Sequence, residues 1–297
     1  MKIVVSGASG LLGSALVPAL EAAGHDVLRL VRRDARGDDE VAWDPGRRTV
    51  DRDRLVGVEA AVNLSGATIG RRWTASRKAE ILSSRIDTTH LLAKTLAELE
   101  PRPQVLVSAG GIGIYGDRGD EILTEDSALG AEAFLPEVGK AWEAAADPAR
   151  GAGIRVVGFR QGVVLTRHGG ILERLLTPFK LGVGGRLGSG RQWLSWVALD
   201  DFVTAYRFAL EGELAGPVNL AAPNPVTNAQ FTKALGKAIR RPTIFPVPAL
   251  AAKAVFGEMA EEVLLEGQRA LPARLLDAGF DFAYPELDAA LERALEE

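Results

Sequence analysis

The sequence predicts an α/β fold: a doubly wound parallel sheet with a smaller, mainly helical C-terminal lobe. Short apolar runs alternate with longer stretches of helical periodicity through residue 222, which is the pattern of successive β-α units. The apolar runs are continuous in Val, Ile and Leu, as expected for strands buried on both faces. The alternation then stops, so we expect two domains, residues 1–222 and residues 223–297.

The elements of the first domain follow in order, each apolar run being bounded by glycine or polar residues. Strands are predicted at 2–6, 26–31, 59–64, 104–109, 155–159 and 217–222, and helices at 10–23, 75–99, 136–149 and 200–211. Glycines cluster between about 167 and 196, where we expect a loop insertion. In a sheet of this class that loop lies at the carboxyl edge, where ligands bind.

The composition excludes several kinds of function. A net charge of −4 lacks the surplus of Lys and Arg that nucleic-acid binding requires. The absence of cysteine excludes disulfides, thiolate metal ligands and a cysteine nucleophile. No apolar run approaches the ~20 residues of a membrane span, and no signal peptide follows Met1. We therefore expect a cytoplasmic protein with no metal site and no nucleic-acid or membrane partner.

A glycine pattern follows the first strand. Gly7, Gly10 and Gly13 are spaced G-x-x-G-x-x-G, directly after a strand and at the start of a helix. Such glycines permit a tight turn and a close backbone approach to a pyrophosphate, which the helix N-terminus stabilises. In this position the pattern predicts dinucleotide binding, and the alternative is a tight loop without a ligand.

The charge after the second strand predicts which dinucleotide binds. An NAD-binding chain has an acidic residue here that binds the ribose hydroxyls. This chain instead has Arg29, Arg32 and Arg33. Guanidinium groups suit a 2′-phosphate, so the prediction is NADP(H). The alternative is a solvated basic strand end.

Longer motifs carry a resemblance to a known family. The segments "GASGLLG", "NLSG" and "SAGGIGIYGD" occur in the order found in the extended short-chain dehydrogenases/reductases, the NAD-dependent epimerase/dehydratase group. More narrowly, "GSGRQWLSWVALDDFVTA", "RPTIFPVP" and the segment 257–287 resemble its atypical branch of epimerase family proteins. That branch has a C-terminal domain of unknown function. The resemblance covers the whole chain and implies a Rossmann-like fold.

The resemblance also implies a cofactor site, a substrate pocket between the sheet and the C-terminal lobe, and a possible homodimer. The dimer would form through the helices at 75–99 and 136–149. The implied cofactor residues are Gly7, Ser9, Gly10, Leu11, Leu12 and Gly13 at the pyrophosphate, Arg32 at the 2′-phosphate, Leu64, Ser65 and Gly66 at the ribose, and Ser108 near the nicotinamide. Arg33 is predicted as a second 2′-phosphate ligand from the charge pattern alone.

The acid/base pair of the family is missing. In that family a Tyr-x-x-x-Lys pair exchanges a proton with the substrate, because the lysine lowers the pKa of the tyrosine. None of the three tyrosines has a lysine four residues further on, and Val138 and Trp142 occupy the positions of the pair. The atypical branch shares this loss. A positioned acid contributes about 10² to 10⁴ in rate, so unaided hydride transfer would be slow.

Three residues are candidates to replace the pair. Tyr115 follows the strand predicted at 104–109 at the carboxyl edge, although its ring equally suits packing beneath a loop. Lys140 and Glu143 share the helix of the missing pair, although their spacing also suits a surface ion pair. A further candidate is His168, which follows the strand predicted at 155–159, where a solvated histidine is the commoner outcome.

A basic and aromatic group near the glycine-rich loop predicts a small anionic ligand, because guanidinium forks bind phosphate or carboxylate and indoles stack on sugars and bases. Its members are Arg160, Arg191, Gln192, Trp193 and Trp196. The alternative places both tryptophans in the core. Arg85, four residues after Ile81, is a further candidate for the same cavity.

Two functions compete at this point. The first is an NADP-dependent epimerase or oxidoreductase on a nucleotide-sugar-like or other anionic molecule, with its acid replaced. The second is a non-catalytic regulator, similar to cell-division inhibitors, that binds NADP(H) as a ligand. The missing pair favours the regulator, and the Gly/Arg/Trp loop favours a substrate.

Overall fold

A computed structural model describes residues 1–296. Its centre is an eight-stranded sheet in the order β12-β8-β6-β5-β1-β2-β3-β4, and all neighbours pair in parallel except β3 with β4. The strands of this sheet are β1 (Lys2–Ser6), β2 (Asp26–Val31), β3 (Glu40–Asp44), β4 (Thr49–Val50), β5 (Ala60–Asn63), β6 (Val105–Gly111), β8 (Arg155–Gln161) and β12 (Gly216–Leu220). The predicted fold class is confirmed.

The remaining strands form three small pairs near the carboxyl edge of the sheet. They are β7 (Ile122–Leu123) with β14 (Arg269–Ala270), β9 (Val163–Leu165) with β11 (Trp196–Ala198), and β10 (Trp193–Leu194) with β13 (Val226–Thr227).

Ten α-helices lie within the described residues. They are α1 (Leu11–Ala22), α2 (Ala75–Ala97), α3 (Phe134–Ala144), α4 (Asp147–Gly151), α5 (Gly170–Lys180), α6 (Leu199–Glu211), α7 (Asn228–Ala238), α8 (Ala249–Phe256), α9 (Ala273–Asp277) and α10 (Leu287–Glu296). Short 3₁₀ turns at Asp53–Leu55 and Ile112–Tyr115 and a π-helical turn at Ala260–Leu265 complete the secondary structure. None of the helices in residues 1–296 combines the length and apolarity needed to cross a membrane.

The core has two layers because alternate residues of each strand face opposite sides of the sheet. Ile3 and Val5 pack with Leu16 of α1 and Phe202 of α6 on one side. Val4 packs on the other side with the buried leucines of α2. Helices therefore cover both faces of the parallel sheet.

The structure differs from the predicted elements at three places. The helix predicted at 136–149 is broken into α3 and α4, and Pro148 stands in the first turn of the second piece, where its missing N–H costs nothing. Strands β3 and β4 extend the sheet beyond β2 and were not predicted. Helix α5 occupies part of the predicted loop insertion at 167–196.

The C-terminal segment 223–296 is mainly helical and packs over the carboxyl edge. Both carboxylate oxygens of Glu262 accept hydrogen bonds from the first backbone N–H groups of α3, at Phe134 and Leu135, over 3.2 and 2.8 Å. Met259 joins Val138 and Trp73 in one buried apolar cluster. The lobe thus binds directly to the helix that lacks the acid/base pair.

Candidate functional site

The glycine turn forms the first part of the site. Gly7 has φ +71°, a left-handed conformation that favours glycine, and a Cβ there would lie 2.8 Å from the carbonyl carbon of Leu64. A Cβ on Gly13 would lie 2.3 Å from the carbonyl oxygen of Gly7. The turn therefore packs against both the end of β5 and the start of α1, and a side chain at either glycine would open it.

The start of α1 offers free hydrogen-bond donors. Gly10 is its N-cap and supplies no side-chain cap, while the amide of Gly10 itself bonds to the oxygen of Gly7 over 2.9 Å. Within residues 1–296 the amides of Leu11, Leu12 and Gly13 have no backbone acceptor. Donors and dipole together fit a dinucleotide pyrophosphate.

The three arginines after β2 have different surroundings. Arg29 bonds to Glu21 and Asp39, and Arg33 forms a two-pronged pair with Glu40 over 2.7 and 2.5 Å. Hydrogen bonds from the Arg33 side chain and the Arg36 amide lower the pKa of Glu40 to about 2.

Arg32 is exposed and has no ion-pair partner among residues 1–296. Of the predicted phosphate ligands Arg32 and Arg33, the structure thus leaves Arg32 available and engages Arg33 elsewhere.

A chain of polar side chains runs from the turn into the helix layer. Ser65 donates to Ser6 over 2.9 Å, Ser6 donates to Asn63 over 2.5 Å, and Asn63 donates to Thr89 of α2 over 2.6 Å. Ser6, Asn63 and Thr89 are fully buried. Because each group in this chain has a partner, it fixes the loop after β5, where Leu64, Ser65 and Gly66 were predicted to border a ribose.

The positions of the missing pair are filled by packing. Val138 is buried in the apolar cluster that joins α2, α3 and the C-terminal lobe. The indole N–H of Trp142 donates to the hydroxyl of Thr89 over 2.9 Å, which ties it to the same polar chain. Neither side chain has a titratable group, so no proton donor stands at these two positions.

Arg85 brings a half-buried positive charge to the site. Its Cζ lies 4.8 Å from the ring centre of Trp142, and its Nη1 donates to the carbonyl oxygens of Ala67 and Ile81, both over 3.0 Å. A Cβ on Gly66 would touch its Cζ at 3.3 Å. Burial, aided by repulsion from Arg77, lowers the pKa of Arg85 to about 10. It forms no ion pair with a carboxylate of residues 1–296.

The side chain of Tyr115 is enclosed by other protein groups. It is fully buried, accepts a hydrogen bond from Nη1 of Arg160 over 2.8 Å and donates to Asn219 over 2.7 Å. Burial raises its pKa, and the bonds from Arg160 and Asn219 only partly oppose this. The hydroxyl is saturated by protein partners.

Glu143 and Arg160 satisfy each other. Nε of Arg160 lies 2.7 Å from Oε1 of Glu143, and Nη2 lies 3.1 Å from Oε2. The arginine side chain is 5% exposed and the glutamate 23%. This ion pair joins β8 to α3 and occupies the carboxylate of Glu143 and the guanidinium of Arg160. Lys140, on the same helix, is exposed and forms no pair with Glu143.

Three further members of the predicted anion-binding group bond to other protein groups. Gln192 donates to the carbonyls of Leu187 and Leu264, and Trp196 is fully buried with its indole N–H on Asn224. Trp193 donates to Asp120 and carries the guanidinium of Arg269 4.2 Å above its ring.

Three other predicted site residues differ in their exposure to solvent. Arg191 is exposed. Ser108 is buried in β6, where its hydroxyl lies 3.4 Å from the carbonyl of Ala109. His168 is exposed at the start of α5.

The sequence did not predict roles for Thr89 and Glu262, and it indicated Arg85 only through its helical spacing from Ile81. The polar chain through Thr89 depends on residues from four separate elements. The helix spacing of Arg85, Thr89 and Ile81 did carry a signal, because residues four apart share a helix face.

These features define a dinucleotide-binding α/β protein of the short-chain dehydrogenase/reductase kind. Residues 3–221 match the NAD dependent epimerase/dehydratase family, and residues 247–294 match a domain of unknown function, DUF1731. The chain belongs to the NAD dependent epimerase/dehydratase family, in a branch whose relatives are called epimerase family proteins. The predicted resemblance is confirmed.

Individual relatives cover nearly the whole chain. Epimerase family protein MT2273 of Mycobacterium tuberculosis is 44% identical over 291 residues, 97% of this chain and 96% of its own length. The crystal structure of human epimerase family protein SDR39U1 with NADPH has a TM-score of 0.89 at 35% identity and covers 100% of both chains. A nucleoside-diphosphate sugar epimerase of Corynebacterium glutamicum has a TM-score of 0.82 at 37% identity, covering 99% of this chain and 58% of its own.

Proposed function

We propose that this protein binds NADP(H) and uses it as an epimerase or oxidoreductase on a small anionic molecule, without a Tyr-x-x-x-Lys pair. The cofactor part is supported by the uncapped start of α1, by the free Arg32 and by the NADPH bound to the human relative. The substrate class is supported by the nucleoside-diphosphate sugar epimerase among the relatives. The bound cofactor would supply or accept hydride.

The observation that carries the catalytic part is the half-buried charge of Arg85. A guanidinium that is partly desolvated and lacks a carboxylate gains from an anionic or developing negative oxygen beside it. Its pKa of about 10 keeps it protonated at neutral pH. Stacked on Trp142, at the position of the missing lysine, it would stabilise negative charge without donating a proton.

A second function is favoured by the burial of Val138. Met259 and Trp73 bury this side chain, so the position of the missing tyrosine is closed by the C-terminal lobe. A regulatory protein that binds NADP(H) and performs no hydride transfer would need no acid there. In that case the lobe would transmit cofactor binding to a partner.

Replacing Arg32 with alanine should weaken NADPH binding about 10-fold to 100-fold and leave NADH binding unchanged, because one charge-assisted bond to the 2′-phosphate is lost. Arg33→Ala is the matched control. Since Glu40 already engages that guanidinium, its preference for NADPH should stay close to that of the native protein. Fluorescence titration with both cofactors measures the change, and an unchanged preference in Arg32→Ala would refute the 2′-phosphate assignment.

The test of hydride transfer uses NADPH deuterated at the nicotinamide C4, on each face in turn. The protein is incubated with a metabolite extract, and label is followed by mass spectrometry with and without protein. We expect deuterium in one metabolite, and its loss in Arg85→Met. An epimerase that returns its own hydride would show no net label, so conversion of UDP-glucose and UDP-N-acetylglucosamine is followed by chromatography in parallel.

Intact NADPH binding with neither label transfer nor sugar conversion would overturn the catalytic proposal and favour the regulatory one. Failure of the native protein to bind NADPH would overturn both the catalytic and the regulatory proposal.

A further inference from the structure

Charge is distributed unevenly over the chain. Residues 174–199 and 214–257 contain no Asp or Glu, although the whole sequence has 39 acidic and 35 basic residues. The two segments hold nine cations: Arg174, Lys180, Arg186, Arg191, Lys233, Lys237, Arg240, Arg241 and Lys253. Only Lys237 and Lys253 pair with a carboxylate, Asp288 and Glu261 respectively, among residues 1–296.

The two segments lie side by side. The amide of Val247 bonds to the oxygen of Arg186 over 2.8 Å, and the amide of Gly188 bonds to the oxygen of Val247 over 2.9 Å. Nε of Arg241 donates to the oxygen of Lys180 over 3.0 Å. Residues 180–188 and 241–247, which carry Lys180, Arg186 and Arg241 and no acidic residue, therefore lie against each other on an acidic protein.

Exposed apolar side chains stand on the same surface. Nine large apolar residues of 1–296 are highly exposed, and six of them lie between 181 and 255. We define the apolar patch as the five that border the paired segments: Leu181, Val183, Ile244, Phe245 and Leu250, with exposures of 73, 59, 75, 65 and 80%. Apolar exposure concentrated in this way marks an interaction surface.

We propose that this surface is a peripheral docking site for an anionic lipid bilayer. Cations around protruding aliphatic and aromatic side chains match both components of such a membrane, since the headgroups attract Lys and Arg and the acyl boundary accepts the apolar tips. This interaction requires no spanning helix, and it differs from the sequence-based expectation of no membrane partner.

The composition of the patch favours lipid over other acidic partners. Four of its five members are aliphatic and Phe245 is its single aromatic ring, whereas single-stranded nucleic-acid sites depend on several stacking aromatics. Protein interface centres are enriched in aromatic residues and Met, and among the five apolar residues of the patch Phe245 is the one aromatic and none is Met. Its side chains protrude from loops and a helix start, which suits insertion into a fluid surface.

Sedimentation with phosphatidylglycerol vesicles tests the proposal, with phosphatidylcholine vesicles as the uncharged comparison. We expect binding to the first and little to the second, and release as ionic strength rises from about 0.1 M to about 1 M, where the screening length falls to about 3 Å. Ile244→Ser with Phe245→Ser should weaken binding about tenfold or more. Lys180→Gln with Arg240→Gln should weaken it several-fold.

The matched control is Val56→Ser with Leu276→Ser, which removes exposed apolar side chains elsewhere and should leave vesicle binding unchanged. NADPH titration and thermal melting confirm that every variant is folded. The proposal fails if the native protein does not bind phosphatidylglycerol, or if the Ile244 and Phe245 variant binds as well as the native protein. It also fails if that variant instead abolishes self-association in a sedimentation equilibrium run, or binding to a labelled DNA strand.

Discussion

Replacing Gly13 with alanine is expected to reduce NADPH affinity more than about a hundredfold. The new Cβ would stand 2.3 Å from the carbonyl oxygen of Gly7 and 2.7 Å from Cα of Ala8, both backbone atoms. The turn and the start of α1 must separate to relieve this contact, which misaligns the free amides of Leu11 and Leu12. Loss of these two hydrogen bonds to the charged pyrophosphate, each worth about 1.5–3 kcal/mol, accounts for the expected fall in affinity.

Gly151→Ala is the matched control, because Gly151 ends helix α4 and a Cβ there meets no atom within 4 Å. It should bind NADPH with unchanged affinity. Circular dichroism and thermal melting separate lost binding from lost folding. Native affinity in folded Gly13→Ala would contradict the assignment of this turn to the cofactor.

Local patterns predicted much of the fold because β-α alternation and apolar runs are properties of neighbouring residues. The bounds of β1 and β2 agree with those predicted, and α2 ends two residues early. Helix α5 was missed, since its short pattern is followed by the glycines at 182, 184 and 185. The break between α3 and α4 carried a visible signal in Asp147-Pro148.

The candidate site was predicted less completely because pairing depends on contacts between distant elements. Sequence placed Arg32 and Arg33 together, but Glu40 from β3 engages only Arg33. Sequence also showed that the Tyr-x-x-x-Lys pair is missing. It did not show that Met259 would cover Val138 or that Arg85 would stack on Trp142.

Two of the proposed replacements for the pair, Tyr115 and Glu143, are also bound by a distant element. Residue type and position made Tyr115 and Glu143 plausible acids, because both lie close to the carboxyl edge of the sheet. Arg160 arrives from β8 and engages both side chains, a contact spanning 45 and 17 residues. Their chemistry is therefore decided by an element that no local pattern connects to them.

Replacing Glu143 with alanine is expected to destabilise the fold by about 3 kcal/mol or more. The change leaves the guanidinium of Arg160, 5% exposed, without its carboxylate, and an uncompensated buried charge is costly. Urea unfolding measures the loss. Arg160→Met combined with Glu143→Leu removes both charges, and it should recover most of the stability because the desolvation penalty disappears with them.

Lys237→Ala provides the comparison for that ion pair. Its pair with Asp288 is 72% and 54% exposed, so its removal should leave the free energy of unfolding close to that of the native protein. If Glu143→Ala were as stable as the native protein and yet lost hydride transfer, Glu143 would be a catalytic residue and the structural role would be wrong. If stability falls and the double variant still transfers hydride, proton exchange in this protein does not depend on Glu143, and the positive charge of Arg85 becomes the group to test.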